Sequence, residues 1–164
     1  MLLQIDPSQL RVSSVLNRDA RNYGKKNLVD NNLETCWNSD QGSPQWIQVE
    51  SSDENSLIRP TSIKLMFQGG FSGKECELLG EIPQTAGSGG VVQTTEWVSI
   101  MRFYPEDINT LQEFFVGIST ANNCDLTNPV GYRRLRVVFL NSTDFYGRLT
   151  VYQFDIVQAA DPSV

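Results

Sequence analysis

The strongest constraint on the fold is a set of short segments in which apolar and polar residues alternate. Clear examples are Gln45–Glu50 (QWIQVE), residues 61–67 (TSIKLMF) and residues 133–140 (RRLRVVFL). Alternation with a period of two is typical of strands that bury one face. The same signal at Glu96–Phe103, 114–118 and 148–157 predicts three further strands. No stretch of helical length carries an apolar stripe at helical spacing. The most helix that we expect is one short turn within residues 107–115.

Turn-forming residues separate these segments. Gly, Pro, Asn, Asp and Ser are concentrated at residues 38–44, 69–73 and 141–147, which predicts loops there. A chain of 164 residues has the length of one domain. The sequence therefore predicts one all-β domain over residues 1–164. We expect an antiparallel β-sandwich or jelly roll of at least about eight strands.

The alternation also predicts which side chains fill the core. In Glu96–Phe103 it places Trp97, Ser99, Met101 and Phe103 on one face, and in residues 148–157 it places odd-numbered residues together. Tryptophan is usually buried for most of its surface. The predicted core is Trp37, Trp46, Leu65, Phe67, Trp97, Leu135, Val137, Phe139, Val151 and Phe154.

The composition excludes several classes of function. The chain has no histidine, which removes Ser-His-Asp and Cys-His nucleophile systems and His-ligated zinc. Its net charge is −6, without a long basic block, so nucleic acid and anionic membranes are poor partners. No phosphate loop or dinucleotide fingerprint is present. We therefore expect a protein that is not an enzyme.

The cysteines indicate a reducing compartment. There are three, Cys36, Cys76 and Cys124, and no two are close enough for a CxxC motif. An odd number leaves at least one thiol unpaired, and the first residues lack the charged and apolar regions of a signal peptide. We expect three free thiols and an intracellular protein without a membrane span.

The turn Asp30-Asn31-Asn32-Leu33-Glu34-Thr35 is a candidate calcium site. Asp30, Asn32 and Thr35 offer the oxygen ligands that hard cations prefer. The turn is not an EF-hand, since the positions that require Gly and Glu hold Thr35 and Gln41. The alternative is an Asx turn in which Asp30 bonds to its own backbone.

Three loops carry a candidate interaction face. In a jelly roll successive loops meet at the ends of the sandwich, so residues 38–42, 68–72 and 144–148 can converge. They combine aromatic rings, an arginine and glycines, which are common at interfaces. An alternative is that Asp40, Asp144 and Arg148 only tie the loops together through an ion pair. The predicted face is Asp40, Gln41, Gln68, Phe71, Asp144, Phe145, Tyr146 and Arg148.

Several motifs also carry a family resemblance. The run LVDNNLETCWNSD at residues 28–40, followed by PQWI at 44–47, resembles the first half of a discoidin, or galactose-binding domain-like, jelly roll. It is also similar to the Doc domain of the anaphase-promoting complex. The nearest resemblance is to the small nuclear receptor-associated proteins. It rests on five ordered blocks, RVSSVLNR, TCWNSDQG, FQGGFS, FYPED and TDFYGR.

This resemblance implies a function and a location. It covers residues 11–157, nearly the whole chain, and that family consists of intracellular jelly rolls described as repressors of an orphan nuclear receptor. The implied activity is protein binding in transcription regulation, in the nucleus or cytoplasm, with a nuclear receptor as the partner. We expect a monomer. A carbohydrate-binding module is the alternative, and an enzyme related to the allantoicases is disfavoured by the missing histidine.

The resemblance bears on calcium as well. Calcium-binding members of the superfamily use the Asp, Asn and Thr of the first turn, which Asp30, Asn32 and Thr35 match. They add a Glu near the end of the last strand, where this chain has Gln153, beside the backbone of Tyr152. A neutral amide is a weaker calcium ligand than a carboxylate, so calcium is expected to bind weakly.

Overall fold

The chain folds as a sandwich of two antiparallel sheets. The computed structural model describes residues 1–82, 96–117 and 130–161. One sheet has the order β1-β3-β8-β5-β6 and the other β2-β9-β4-β7, which confirms the predicted all-β sandwich. The strands are β1 (Leu10–Val12), β2 (Trp37–Asn38), β3 (Gln45–Glu50), β4 (Pro60–Phe67), β5 (Cys76–Ile82), β6 (Glu96–Phe103), β7 (Gln112–Phe115), β8 (Arg134–Phe139) and β9 (Thr150–Gln158).

Strands β3 and β8 form where the alternation is most regular. Ile47 pairs with Val137, and Val49 pairs with Leu135, and all four side chains are buried. A slip of one residue would turn this apolar row to solvent, so burial fixes the register.

The core lies between the two sheets. Phe139 contacts the ring of Phe67 edge-on at 5.9 Å between centroids and that of Trp37 at 6.4 Å. Each such side chain contributes roughly 1.5–3 kcal/mol through burial. The correctly predicted core residues are Trp37, Leu65, Phe67, Leu135, Val137, Phe139, Val151 and Phe154.

The prediction of Trp46 and Trp97 as core residues was wrong. Because Ile47 and Val49 point inward, the alternation along β3 sends Trp46 to the outer face, where it is only half-buried. The guanidinium carbon of Arg136 lies 4.6 Å from the ring centroid of Trp46 and 4.7 Å from that of Trp97. The two rings therefore enclose a cation on the surface of the five-stranded sheet.

Two register shifts explain why some side chains of β6 and β9 face the other way from the prediction. Met101 pairs with Leu78 while Ser99 pairs with Leu79, so Ile100 is an extra residue and Trp97 ends up on the outer face. In β9 a shift between Met66 and Phe67 leaves Tyr152 as the extra residue. Leu149 and Val151 face inward before this shift, and Phe154 and Ile156 face inward after it.

The predicted helical turn within residues 107–115 was wrong, because the end of that segment forms edge strand β7 against β4. The strand predicted at 114–118 starts two residues earlier, and Ile118 lies outside the described residues. A short helix α1 (Ala20–Tyr23) and 3-10 turns at Pro7–Gln9, Leu16–Arg18 and Lys25–Leu28 were not expected. The Asp6 side chain caps the 3-10 turn at Pro7–Gln9, and the Asp19 side chain caps α1.

Cys36 and Cys76 are free thiols, as predicted, and Cys124 lies outside the described residues. Burial raises the pKa of the Cys36 thiol, and burial with the nearby charge of Glu75 raises that of Cys76. Neither is therefore a reactive thiolate at neutral pH. Within the described ranges, no helix is both long and apolar enough to cross a membrane.

Candidate functional site

The three predicted loops meet at one end of the sandwich. The Gly42 N–H donates to the Tyr146 carbonyl at 2.7 Å, which joins the first loop to the third. The Thr150 N–H donates to the Phe71 carbonyl at 3.1 Å, which joins the second loop to the start of β9. We call the surface of Asp40, Gln41, Gln68, Phe71, Asp144, Phe145, Tyr146 and Arg148 the loop-end face.

Two adjacent aromatic rings project from this face. Phe145 is 93% exposed and Tyr146 is 59% exposed. Their rings meet edge-on with centroids 5.3 Å apart. Single exposed apolar side chains are common, but a contiguous pair on a fixed turn is characteristic of interaction sites.

An arginine joins the aromatic residues to each other. The guanidinium carbon of Arg148 lies 5.4 Å from the ring centroid of Phe71 and 5.5 Å from that of Tyr146. Its Nε and Nη2 donate to Asp144 Oδ2 and Oδ1 at 3.0 and 3.2 Å. Hydrogen bonding from Arg148 lowers the pKa of Asp144 below its ordinary value. This ion pair joins two residues of the third loop, four positions apart, so it does not tie separate loops together as the alternative required.

The turn that carries the rings requires a glycine. Gly147 has a φ of +82°, and a Cβ at this position would lie 2.8 Å from the carbonyl carbon of Gly42. Any larger residue would separate the first and third loops. The close contact of these two glycines fixes the direction in which Phe145 and Tyr146 project.

A small groove lies beside the rings. It has a volume of about 160 Å³ and is lined by Asn38, Gln68, Phe71, Arg148 and Thr150, among others. Gln68 is half-buried in this groove, Asp40 is half-buried on the first loop, and Gln41 is exposed. The groove thus combines one aromatic ring with several polar side chains.

Gln45, which the sequence analysis did not select, holds the first loop in place. Its side chain is 6% exposed. Its amide nitrogen donates to the carbonyls of Asp40 and Gly42, and its amide oxygen accepts from the hydroxyls of Ser13 and Ser14. The two serines belong to the RVSSVLNR block, so this block supports the face from below.

Asp107 was also missed, and it holds the second loop. Its Oδ1 accepts from the Gly70 N–H and from the Ser72 hydroxyl, both at 2.8 Å, and from the Thr143 hydroxyl at 3.4 Å. The hydrogen bonds from Gly70 and Ser72 lower the pKa of the Asp107 carboxyl. The FYPED block contains this residue, but a contact across 37 positions leaves no local pattern in the sequence.

The candidate calcium turn is closed by its own hydrogen bonds. Asp30 Oδ1 accepts from the Asn32 N–H at 2.9 Å, and Oδ2 accepts from the Thr35 hydroxyl at 2.5 Å. This is the Asx turn considered as the alternative. Gln153 donates from its amide nitrogen to Asp155. Among the residues that the structure describes, no three acidic or cysteine side chains form a metal-binding group. This donor set does not fit a tightly held calcium ion, and the site at Asp30, Asn32, Thr35, Tyr152 and Gln153 stays a prediction.

Comparisons with known proteins agree with the sequence motifs. No family model matches the chain. The nuclear receptor 2C2-associated protein of Xenopus tropicalis is 46% identical over 147 residues, which are 90% of this chain and 90% of that protein. The proteins of the same name from Danio rerio and Homo sapiens are 42% and 41% identical, over 94% and 90% of this chain and 93% and 88% of their own lengths.

Solved structures of similar fold are more distant in sequence. An F5/8 type C domain from Bacteroides fragilis has a TM-score of 0.66 at 13% identity, covering 98% of both chains. A family 32 carbohydrate-binding module of Clostridium perfringens NanJ, in complex with galactose, has a TM-score of 0.62 at 11% identity, covering 95% of this chain and 98% of that one. At such identities the likeness shows the discoidin-type jelly roll alone. The sequence relatives named above are 41–46% identical over at least 90% of this chain, so this chain belongs to the family of nuclear receptor 2C2-associated proteins.

Proposed function

We propose that this chain is a non-enzymatic protein-binding module that binds a nuclear receptor through its loop-end face and represses it. The observation that carries the proposal is the exposed pair Phe145 and Tyr146 on a turn fixed by Gly147 and Arg148. Such rings lose little conformational entropy when a partner covers them, because the turn is already ordered. A receptor partner is also what the names of the relatives suggest, and it would place the activity in the nucleus or cytoplasm.

The charges on the face fit a protein partner as well. Arg148 is neutralised by Asp144, so the centre of the face is aromatic and locally neutral. Asp40 and Gln41 add polar side chains from the first loop. An apolar centre with polar residues around it is the usual anatomy of a protein interface.

The test is direct binding of purified nuclear receptor 2C2 to the immobilised chain. The variant Phe145→Ala/Tyr146→Ala removes two exposed rings, so we expect a melting temperature near that of the wild type and an affinity reduced by at least about tenfold, as for interface hot spots. Phe115→Ala is the matched control, because Phe115 is 71% exposed on β7. Equal affinities for the wild type and the double variant would refute the proposed face.

Carbohydrate binding is the second candidate function. The groove beside Phe71 supports it, because a ring with convergent amide and hydroxyl groups is the combination that sugar sites use. The neighbour in complex with galactose has the same fold. Calorimetric titration with galactose tests this candidate. Binding that Asn38→Ala abolishes, without receptor binding, would favour the carbohydrate function over the first proposal.

A further inference from the structure

A second surface shares no residue with the loop-end face and is formed mainly by the segment between β1 and β2. It is an open groove of about 460 Å³, and its lining includes Pro7, Arg21, Asn22, Lys26, Val29 and Asp30. We call it the basic groove.

The segment that supplies Arg21 and Lys26 to this groove has a charge opposite to that of the whole chain. Residues 18–26 contain four cations, Arg18, Arg21, Lys25 and Lys26, and one carboxylate, Asp19, while the net charge of the chain is −6. A local charge of this kind creates an attractive field for anionic groups.

A comparison with the other cation-rich segment shows what is special about the groove. Arg133 and Arg134 both pair with Glu50, and Arg134 also pairs with Glu81. Arg136 is enclosed by two tryptophan rings and donates to Gln48. Each of these three arginine side chains therefore already has a partner within the fold.

The cations that line the groove are not matched. Within residues 1–82, 96–117 and 130–161, neither the Arg21 guanidinium nor the Lys26 ammonium group has a hydrogen-bond or ion-pair partner, and both residues are exposed. Asp30 lies in the same groove, and both of its carboxylate oxygens accept hydrogen bonds within its own turn, so the lining holds two cations and one carboxylate. The groove thus presents one guanidinium and one ammonium group that are free to bind an anion.

The backbone beneath these two side chains is held firmly. Asn27 is 4% exposed, and its amide nitrogen donates to the carbonyls of Asn22 and Cys36 at 2.8 and 2.9 Å. The Lys25 ammonium donates to the Leu10 carbonyl at 2.6 Å, and the Asp19 side chain caps α1. The backbone that carries Arg21 and Lys26 is therefore held by hydrogen bonds on both sides.

We propose that the basic groove binds an acidic peptide segment of a partner protein. Carboxylates of such a segment would pair with Arg21 and Lys26, whose guanidinium and ammonium groups bind carboxylates well. An open groove of about 460 Å³ suits an extended chain better than a single small anion, and Pro7 and Val29 offer apolar contact to its side chains.

The experiment measures the anisotropy of a short labelled peptide of alternating Asp and Glu, with an Asn/Gln peptide of the same length as the reference. We expect binding of the acidic peptide only, which weakens as NaCl rises from about 10 mM to about 150 mM, since the Debye length falls from about 30 to about 8 Å. Arg21→Gln/Lys26→Gln should reduce the affinity at least about tenfold. Lys74→Gln/Arg102→Gln removes the same charge from exposed positions elsewhere and should change it less than about twofold.

Three outcomes would overturn the proposal. They are no binding of the acidic peptide at low salt, equal losses in the two double variants, and displacement of the peptide by inorganic phosphate at equal molar concentration. The first would show that the groove takes no anion, the second that only the net charge acts, and the third that the site binds a small anion. Because Arg21 and Lys26 are exposed, the single variants Arg21→Gln and Lys26→Gln are expected to fold, and each should lose part of the affinity for the acidic peptide.

Discussion

Replacing Gln45 with methionine tests how the first loop of the face is held. Methionine has a similar length but cannot form the four hydrogen bonds of the amide, which lie between 2.5 and 3.2 Å. At about 0.5–1.5 kcal/mol for each bond, their complete loss would cost at most about 6 kcal/mol.

The surroundings of the amide reduce this figure. The Asp40 carbonyl keeps the hydroxyl of Ser39 as a donor at 2.9 Å, and Gly42 is exposed, so its carbonyl can accept from water. The hydroxyls of Ser13 and Ser14 lose their acceptor in a partly buried place. We therefore expect Gln45→Met to lower the free energy of unfolding by about 2–3 kcal/mol.

Urea unfolding and the melting temperature measure this effect. For a chain of this size about 2–4 °C is lost for each kcal/mol, so the melting temperature should fall by about 4–12 °C. Gln41→Met is the control on the same loop, because Gln41 is exposed, and it should stay within about 0.5 kcal/mol of the wild type. A loss of less than about 0.5 kcal/mol in Gln45→Met would show that the amide does not anchor the loop.

Three further predictions concern the core, the thiols and calcium. Trp37→Ala should lower the free energy of unfolding in urea by about 3–5 kcal/mol, because Trp37 is fully buried. Trp46→Ala should lower it by about 1–2 kcal/mol, because Trp46 stacks on Arg136 at the surface. Equal losses in the two variants would contradict this difference. In thiol titration of the native protein near neutral pH, Cys36 should react slowly and Cys76 only on unfolding, because burial raises both pKa values; rapid reaction of Cys76 would show that its strand opens. Calcium should leave the melting temperature of the wild type unchanged and raise that of Gln153→Glu by supplying a carboxylate; no gain in the variant would show that the last strand is misaligned with the calcium-binding relatives.

The sequence predicted those strands in which the alternation is unbroken. In β3 and β8 the pairing has no register shift, so the inward apolar residues, such as Ile47 and Val137, could be predicted directly from the alternation. In β6 and β9 one extra residue, Ile100 or Tyr152, reverses the facing of everything beyond it. A bulge of this kind depends on the neighbouring strand, so the pattern within one segment does not show it.

Trp46 illustrates a different kind of error. The alternation of Ile47 and Val49 places Trp46 on the face opposite the core, whereas the general preference of tryptophan for burial predicted a core position. The sequence could not show that Arg136, which lies on another strand, stacks on the Trp46 ring and stabilises it at the surface. The facing of a residue within its own strand was the better guide here than its average behaviour.

Some features of the loop-end face are local in the sequence, and others depend on contacts between distant residues. Turn chemistry and the jelly-roll pattern predicted that the three loops would meet, because those features are local and repeat at the sandwich ends. The side chains that fix the loops depend on distant residues: Gln45 accepts from the hydroxyls of Ser13 and Ser14, 32 and 31 positions away, and Asp107 accepts from the Gly70 N–H, 37 positions away. A mutation at either position should therefore weaken partner binding through the loop it holds, although neither side chain belongs to the face itself, and a loss of binding alone does not identify a contact residue.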